Sequence, residues 1–275
     1  MTRHRPVSPS WIAVLAIGLA LLLGACAATD TPDPYVERPV EELYNVAMDQ
    51  MEAGDYKTAA KSFDEVERQH PYSQWATKAQ VMAAYSLYLV NDYDGAVLAL
   101  DRFISLHPGN QYAPYAYYLK GLCYYEQISD IARDQRMSEQ ALATYTDLVR
   151  RFPDTAYARD ARLKIDLTHD HLAGKEMDVG RYYLRRDNHL AAIGRFRLVI
   201  AQYGTTTHVP EALHRLVEAY LALGIVDEAR RTASVLGHNY PDSIWYKDTW
   251  KLMAAQKLLT QDELAAAGTP ADARN

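Results

Sequence analysis

Thr-His-Asp-His at 168–171 is the best local candidate for metal chemistry in a chain with nine histidines and two cysteines. Two imidazoles beside a carboxylate make a plausible zinc donor set. On a helix, however, side chains two apart diverge by about 200°, so His169 and His171 cannot share one ion. The four-residue spacing of a helical HExxH site is also missing. His70 and His107 each precede a proline, and the matching position further on is Phe152, Tyr203 and Tyr240. A position that accepts His, Phe and Tyr serves packing. No Ser, His and acid fall into a nucleophile motif, and there is no phosphate-binding glycine loop. Cys123, within Gly-Leu-Cys-Tyr-Tyr-Glu, reads as a small buried hydrophobe. The expectation is a protein that is not an enzyme and holds no metal or diffusible cofactor.

Cys26 is different, because of what precedes it. Trp11–Leu23 is 13 residues without a charge, behind Arg3 and Arg5. At 1.5 Å per residue the run covers roughly 20 Å, short of a ~30 Å hydrocarbon core and suited to a secretory signal. Leu23-Gly24-Ala25-Cys26 resembles a bacterial lipobox. The resemblance implies diacylation of the Cys26 sulfur, cleavage before it, and acylation of the new amino group. One acyl chain holds weakly at about 0.8 kcal/mol per buried CH₂, whereas three hold almost permanently. Ala27, in place of aspartate, favours the outer membrane over the inner one. Residues 1–25 are therefore expected to be a discarded signal peptide. Residues 26–39, with three prolines, read as a lipidated flexible tether, and 261–275 as a disordered tail.

The whole chain has a net charge of −6 at pH 7. The remainder after cleavage is more acidic still, because residues 1–25 hold two arginines and no acid. An acidic surface without basic clusters argues against a nucleic-acid partner. With Cys26 acylated, Cys123 is the only thiol left, so no intrachain disulfide can form.

Apolar residues recur at helical spacing, as at Leu43, Val46, Ala47 and Met51, and no stretch alternates as a strand. A longer period overlies this one. GDYKTAAKSFDEVERQHP (54–71) and NDYDGAVLALDRFISLHP (91–108) superpose without gaps. Counting back from the closing proline, alanine falls at −12 (Ala59, Ala96) and a large apolar residue at −8 (Phe63, Leu100). The turn residue falls at −17 (Gly54, Asn91). The frame returns ending at Pro153, Gly204 and Pro241, with Ala141, Ala192 and Ala229 at −12. Four residues beyond each end stand Trp75, Tyr112, Tyr157, His208 and Trp245. Successive ends lie 37, 45, 51 and 37 residues apart. An insertion around 129–137 accounts for the 45, and an extra or lengthened helix over 155–186 for the 51. A last helix near Tyr246–Leu259 is expected to cap the stack. One hairpin cannot bury its own apolar face, so five must stack.

These offsets resemble the tetratricopeptide repeat. The resemblance implies an all-α superhelical solenoid of five hairpins with a concave groove lined by first helices. The groove candidates are Tyr85 and Tyr88, then Tyr115, Tyr117, Tyr118, Tyr124 and Tyr125. Tyrosine gives a large contact area with few rotatable bonds and a polar tip, which suits extended peptides.

Taken with the lipobox and tether, GDYKTAAKSFDEVERQHPYS, LDRFISLHP and VGRYYLRRDNHLAAIGRFRLVIAQY resemble the BamD (ComL) family of outer-membrane β-barrel assembly lipoproteins. That resemblance implies a scaffold at the outer membrane of a Gram-negative bacterium, lipid-anchored and facing the periplasm. Residues 40–154 would bind the targeting strand of unfolded outer-membrane proteins. Residues 155–260 would dock on the POTRA domain of a BamA-type barrel subunit, with other lipoproteins of the machine as further partners. Arg195 matches the family arginine that makes this contact. Gly194 and Arg197 depart from the family pattern, Arg197 replacing an acid beside that contact. Two other readings remain: a pilotin-like repeat lipoprotein that escorts secretin subunits, and a peptidoglycan-acting hydrolase, for which no residue spacing argues.

Overall fold

The computed structural model describes residues 37–258. Cys26, the signal peptide, all of the tether but Glu37–Pro39, and the tail expected at 261–275 lie outside the described residues. Residues 40–258 belong to one compact unit. Its described part comprises eleven helices and no strand. They are α1 (Val40–Glu52), α2 (Tyr56–Gln69), α3 (Gln74–Leu89), α4 (Tyr93–Leu106), α5 (Ala113–Tyr125) and α6 (Arg136–Arg151). There follow α7 (Ala156–Leu184), α8 (His189–Gln202), α9 (Val209–Ala222), α10 (Val226–Asn239) and α11 (Ile244–Ala255). Successive pairs form five hairpins and α11 closes the stack, giving the expected repeat solenoid. The cap begins two residues earlier and ends four earlier than its pattern predicts.

The hairpin corners obey backbone sterics. Gly54 and Gly224 have φ of +81° and +72°, and Asn91 has +61°. Asp187 at +56° supplies the fourth corner, at the −17 position of the frame ending at Gly204. Glycine adopts this left-handed conformation freely, and Asn and Asp tolerate it better than other residues do. Helix starts are capped by side-chain oxygens: Asp55 accepts from Thr58 N, Ser73 from Ala76 N, and Thr155 from Ala158 N.

Within the first four hairpins, a small residue on the first helix faces the −8 residue of the second. A Cβ added to Gly121 would come within 2.3 Å of the Tyr145 ring, and one at Gly180 within 2.4 Å of Phe196. Ala47 lies in one buried cluster with Phe63, and Ala84 in another with Leu100. In the last hairpin the sizes invert, with Val217 and Ala233 sharing a cluster. Each pair sets a smaller side chain against a larger one, as close packing of two helices requires.

The helix α7 departs from this scheme. It runs 29 residues, about 43 Å, roughly twice the length of its neighbours. Ala161 and Ile165, in its first half, pack with Tyr145 and Leu148 of α6. Ala173 and Met177, in its second half, join Ile193 and Phe196 of α8. The insertion between α5 and α6 lies against the middle of α7: Lys175 Nζ donates to the Ala132 carbonyl at 3.2 Å. The expected boundary at 154/155 thus falls at the N-cap of a helix that packs on both sides of it.

The Gly180–Phe196 contact is testable. Gly180→Ala should lower stability by a net of about 1–2 kcal/mol in urea unfolding, because overpacking outweighs the roughly 1 kcal/mol helix preference of alanine. Adding Phe196→Leu, which copies the Ala84–Leu100 pair, should recover part of that loss. Unchanged stability in Gly180→Ala would show that the ring moves aside at no cost.

Candidate functional site

Two regions carry the residues that the sequence singles out. The first is a ridge of tyrosines across the first helices of neighbouring hairpins. On α3, the Tyr85 and Tyr88 rings stack with centroids 6.3 Å apart at 16°. On α5, Tyr115 lies 5.4 Å and Tyr118 5.5 Å from Tyr157 at the start of α7. Burial pushes the Tyr115 phenol up, with Tyr85 adding to the effect across the gap between α3 and α5. Burial likewise raises Tyr118, whose hydroxyl donates to Asp160 Oδ2 at 2.6 Å. These phenols stay neutral at any physiological pH. The ridge therefore offers ring faces and hydroxyls rather than charge.

Tyr117 and Tyr124 do not join it. Tyr117 packs on Phe152, with the Arg151 guanidinium 5.6 Å from its ring centroid. Tyr124 lies under Lys120, which pairs with Asp101 at 2.5 Å. Residues 115, 118 and 125 share one face of α5 and 117 and 124 another, a division that helical spacing already contains. Tyr157 was legible only as a frame position. Nothing in its local sequence marks it as a neighbour of Tyr115.

The second region surrounds Arg195 and Arg197 on α8. Two residues apart on a helix, they point to opposite sides. Arg195 Nη1 donates to Glu176 Oε2 of α7 at 2.9 Å, its side chain still 42% exposed. Arg197 is exposed and rims a cavity of about 520 Å³ between α8, α9 and α10, floored by Leu213, Leu216, Tyr220 and Ile225. Across this cavity Glu228 pairs with Arg231. That hydrogen bond holds the Glu228 carboxyl below its usual range, and Arg197 adds to the effect. The cavity thus has an apolar floor and a charged, mainly cationic rim.

The 168–171 run falls inside α7. His169 lies 5.8 Å from the Tyr203 ring, while Asp170 accepts from Thr207 N at 3.0 Å and Oγ1 at 2.7 Å. Its members hold neighbouring segments and are not brought together. Among the described residues no group of three or more His, Cys, Asp or Glu is arranged to hold a metal ion.

A family model described as "Outer membrane lipoprotein" (YfiO) matches residues 36–236. The chain belongs to that family. This member is 48% identical over 264 residues to the outer membrane protein assembly factor BamD of Caulobacter vibrioides, covering 95% of this chain and 87% of that one. It is 46% identical to the Rickettsia prowazekii protein of the same name, over 88% of this chain and 95% of that one. For the Neisseria meningitidis serogroup B protein so named, the figures are 34%, 86% and 94%. The match covers all five hairpins almost to the end of α10, so both regions lie within the part shared with the family.

Cys123 belongs to neither region. It is buried, and burial pushes its thiol up to about 12. In a Cys26→Ala chain, Cys123 should resist an aqueous disulfide reagent at pH 8 and react fully in denaturant. Rapid reaction of the native protein would contradict the packing around α5.

Proposed function

We propose that this protein acts in outer membrane protein assembly as a non-catalytic scaffold with two binding regions. The relatives named as assembly factors, matched over nearly their whole length, carry the general reading. The two regions give it detail. The tyrosine ridge on α3, α5 and α7 receives an extended segment of an unfolded outer-membrane client. Large ring faces grip apolar and aromatic side chains, and phenolic hydroxyls meet backbone carbonyls. The C-terminal hairpins hold the POTRA domain of a BamA-type barrel subunit. The cavity beneath Arg197 supplies apolar contact, and its arginine rim supplies orientation. Arg195 is steadied by Glu176 and forms the edge nearest α7. A triacylated Cys26 keeps both regions at the periplasmic face of the outer membrane, alongside other lipoproteins of the machine. The pilotin reading needs a single partner and leaves one of the two regions without a role.

A detergent pull-down of the full-length lipoprotein, with copurifying proteins identified by mass spectrometry, tests the partner. Wild type should bring down a POTRA-bearing barrel protein, and Arg197→Glu should reduce the yield at least tenfold. Loss in Arg195→Glu alone would move the contact to the α7 side of α8. A secretin in place of the barrel protein would overturn the assembly role. For clients, Tyr85→Ala with Tyr115→Ala should weaken binding of an aromatic-ended outer-membrane peptide about tenfold or more by fluorescence anisotropy. Tyr117→Ala should leave that binding nearly unchanged.

A further inference from the structure

The first half of α7 is a first helix without its second. In the second and third hairpins a small residue stands 13 positions beyond the preceding frame end, Ala84 after Pro71 and Gly121 after Pro108, while in the fifth Val217 stands there opposite a small −8 residue, Ala233. Ala84 and Gly121 receive the bulky −8 side chain of the returning helix. Thirteen beyond Pro153 is Asp166. Among the described residues no helix returns along it, because α8 pairs with the second half of α7. The later chain meets the first half near its end, where Tyr203 lies against His169, Thr207 bonds to Asp170 and His208 lies 3.6 Å from the same carboxylate. Leu163 and Leu167 are consequently 64% and 58% exposed, one turn apart on the helix. With Asp166, Asp170 and the 205–207 segment they line a cavity of about 540 Å³.

Two stripes run along this face, leucines at 163 and 167 and carboxylates at 166 and 170, each at the four-residue spacing that aligns side chains along a helix. Asp166 is exposed and, among the described residues, enters no ion pair within 4 Å. An aromatic like those received by Gly121 and Gly180 would leave that carboxylate uncompensated, whereas a lysine or arginine would pair with it.

We infer that the open face of α7 at Leu163 and Leu167 is completed by a helix from another polypeptide. That helix carries apolar side chains at i and i+4 with Lys or Arg beside them, in the slot where a hairpin's second helix would lie. The mode is that of an amphipathic helix in a groove. Its charge pattern follows from the acid at the position where the second and third hairpins carry Ala84 and Gly121. This surface is separate from the tyrosine ridge and from the Arg197 cavity, and its occupancy does not depend on what those bind.

Site-directed photo-crosslinking in cells tests the inference, with p-benzoylphenylalanine in place of Leu163 or Leu167 in the full-length chain. The adduct, mapped by mass spectrometry, should lie in a partner segment with apolar residues at helical spacing and Lys or Arg alongside. Asp166→Lys, at an exposed position that leaves the fold unchanged, should cut the adduct at least tenfold. Reversing the mapped partner cation to Glu in that background should restore it. The inference is overturned by no adduct at either position, by adducts to lipid or a second copy of this chain, or by an adduct insensitive to Asp166→Lys. Crosslinks at Arg197 in the same cells report the barrel partner independently.

Discussion

A helix of 29 residues cannot be covered by one partner of 16 or 14, and most of what is unusual in this molecule follows from that mismatch. Each half of α7 enters a different hydrophobic cluster. The same rigid rod therefore ends one group of repeats and begins the next, with no turn between them. A glycine or aspartate corner in its middle would have given two ordinary hairpins and a soft joint. An unbroken hydrogen-bond ladder instead fixes how the tyrosines of α3 and α5 stand relative to the arginines of α8. The insertion between α5 and α6 belongs to the same arrangement: its Ile131 lies against Gly174 and its Ala132 carbonyl takes the Lys175 ammonium.

The charge layout complements this rod. Arg181, on its second half, pairs with Glu211 of α9, and Glu211 also meets Arg215, which reaches Glu218. Glu218 lies 3.5 Å from the buried His214, whose other ring nitrogen meets Thr249 of α11. Polar contacts thus tie the first helices of the last two hairpins to the cap, where aromatic contacts do the corresponding work nearer the N-terminus. Such partly buried pairs contribute little net stability and more to register.

Much of the fold was legible because its determinants are local. The −12 alanines recur in all five frames, the −8 bulky residues and the closing prolines in four each, and each has a steric role that a reader can state in advance. Asp187 was harder to see, since an aspartate marks a left-handed corner far less strongly than glycine. The continuity of α7 was legible only as a length anomaly, since periodicity does not tell one long helix from two abutting ones. The sites were less legible. The opposition of Arg195 and Arg197 follows from their spacing alone, and so does the split of Tyr117 and Tyr124 from Tyr115 and Tyr118. That Tyr157 meets Tyr115 across 42 residues, or that Arg195 finds Glu176, depends on how hairpins stack, which no local pattern encodes.

The corners have a further consequence, for the order in which the chain acquires structure. Each left-handed residue closes a hairpin from segments that touch within about forty positions. The loops to be closed on the way to the native state are therefore short, and little entropy is lost before the first contacts form. A hairpin can settle as soon as it and its predecessor are both available, without waiting for the C-terminus. The stack can grow from its N-terminal end, each finished hairpin giving the next a surface on which to condense. The one step that cannot proceed a hairpin at a time is α7, whose second half finds its partner only once α8 has arrived.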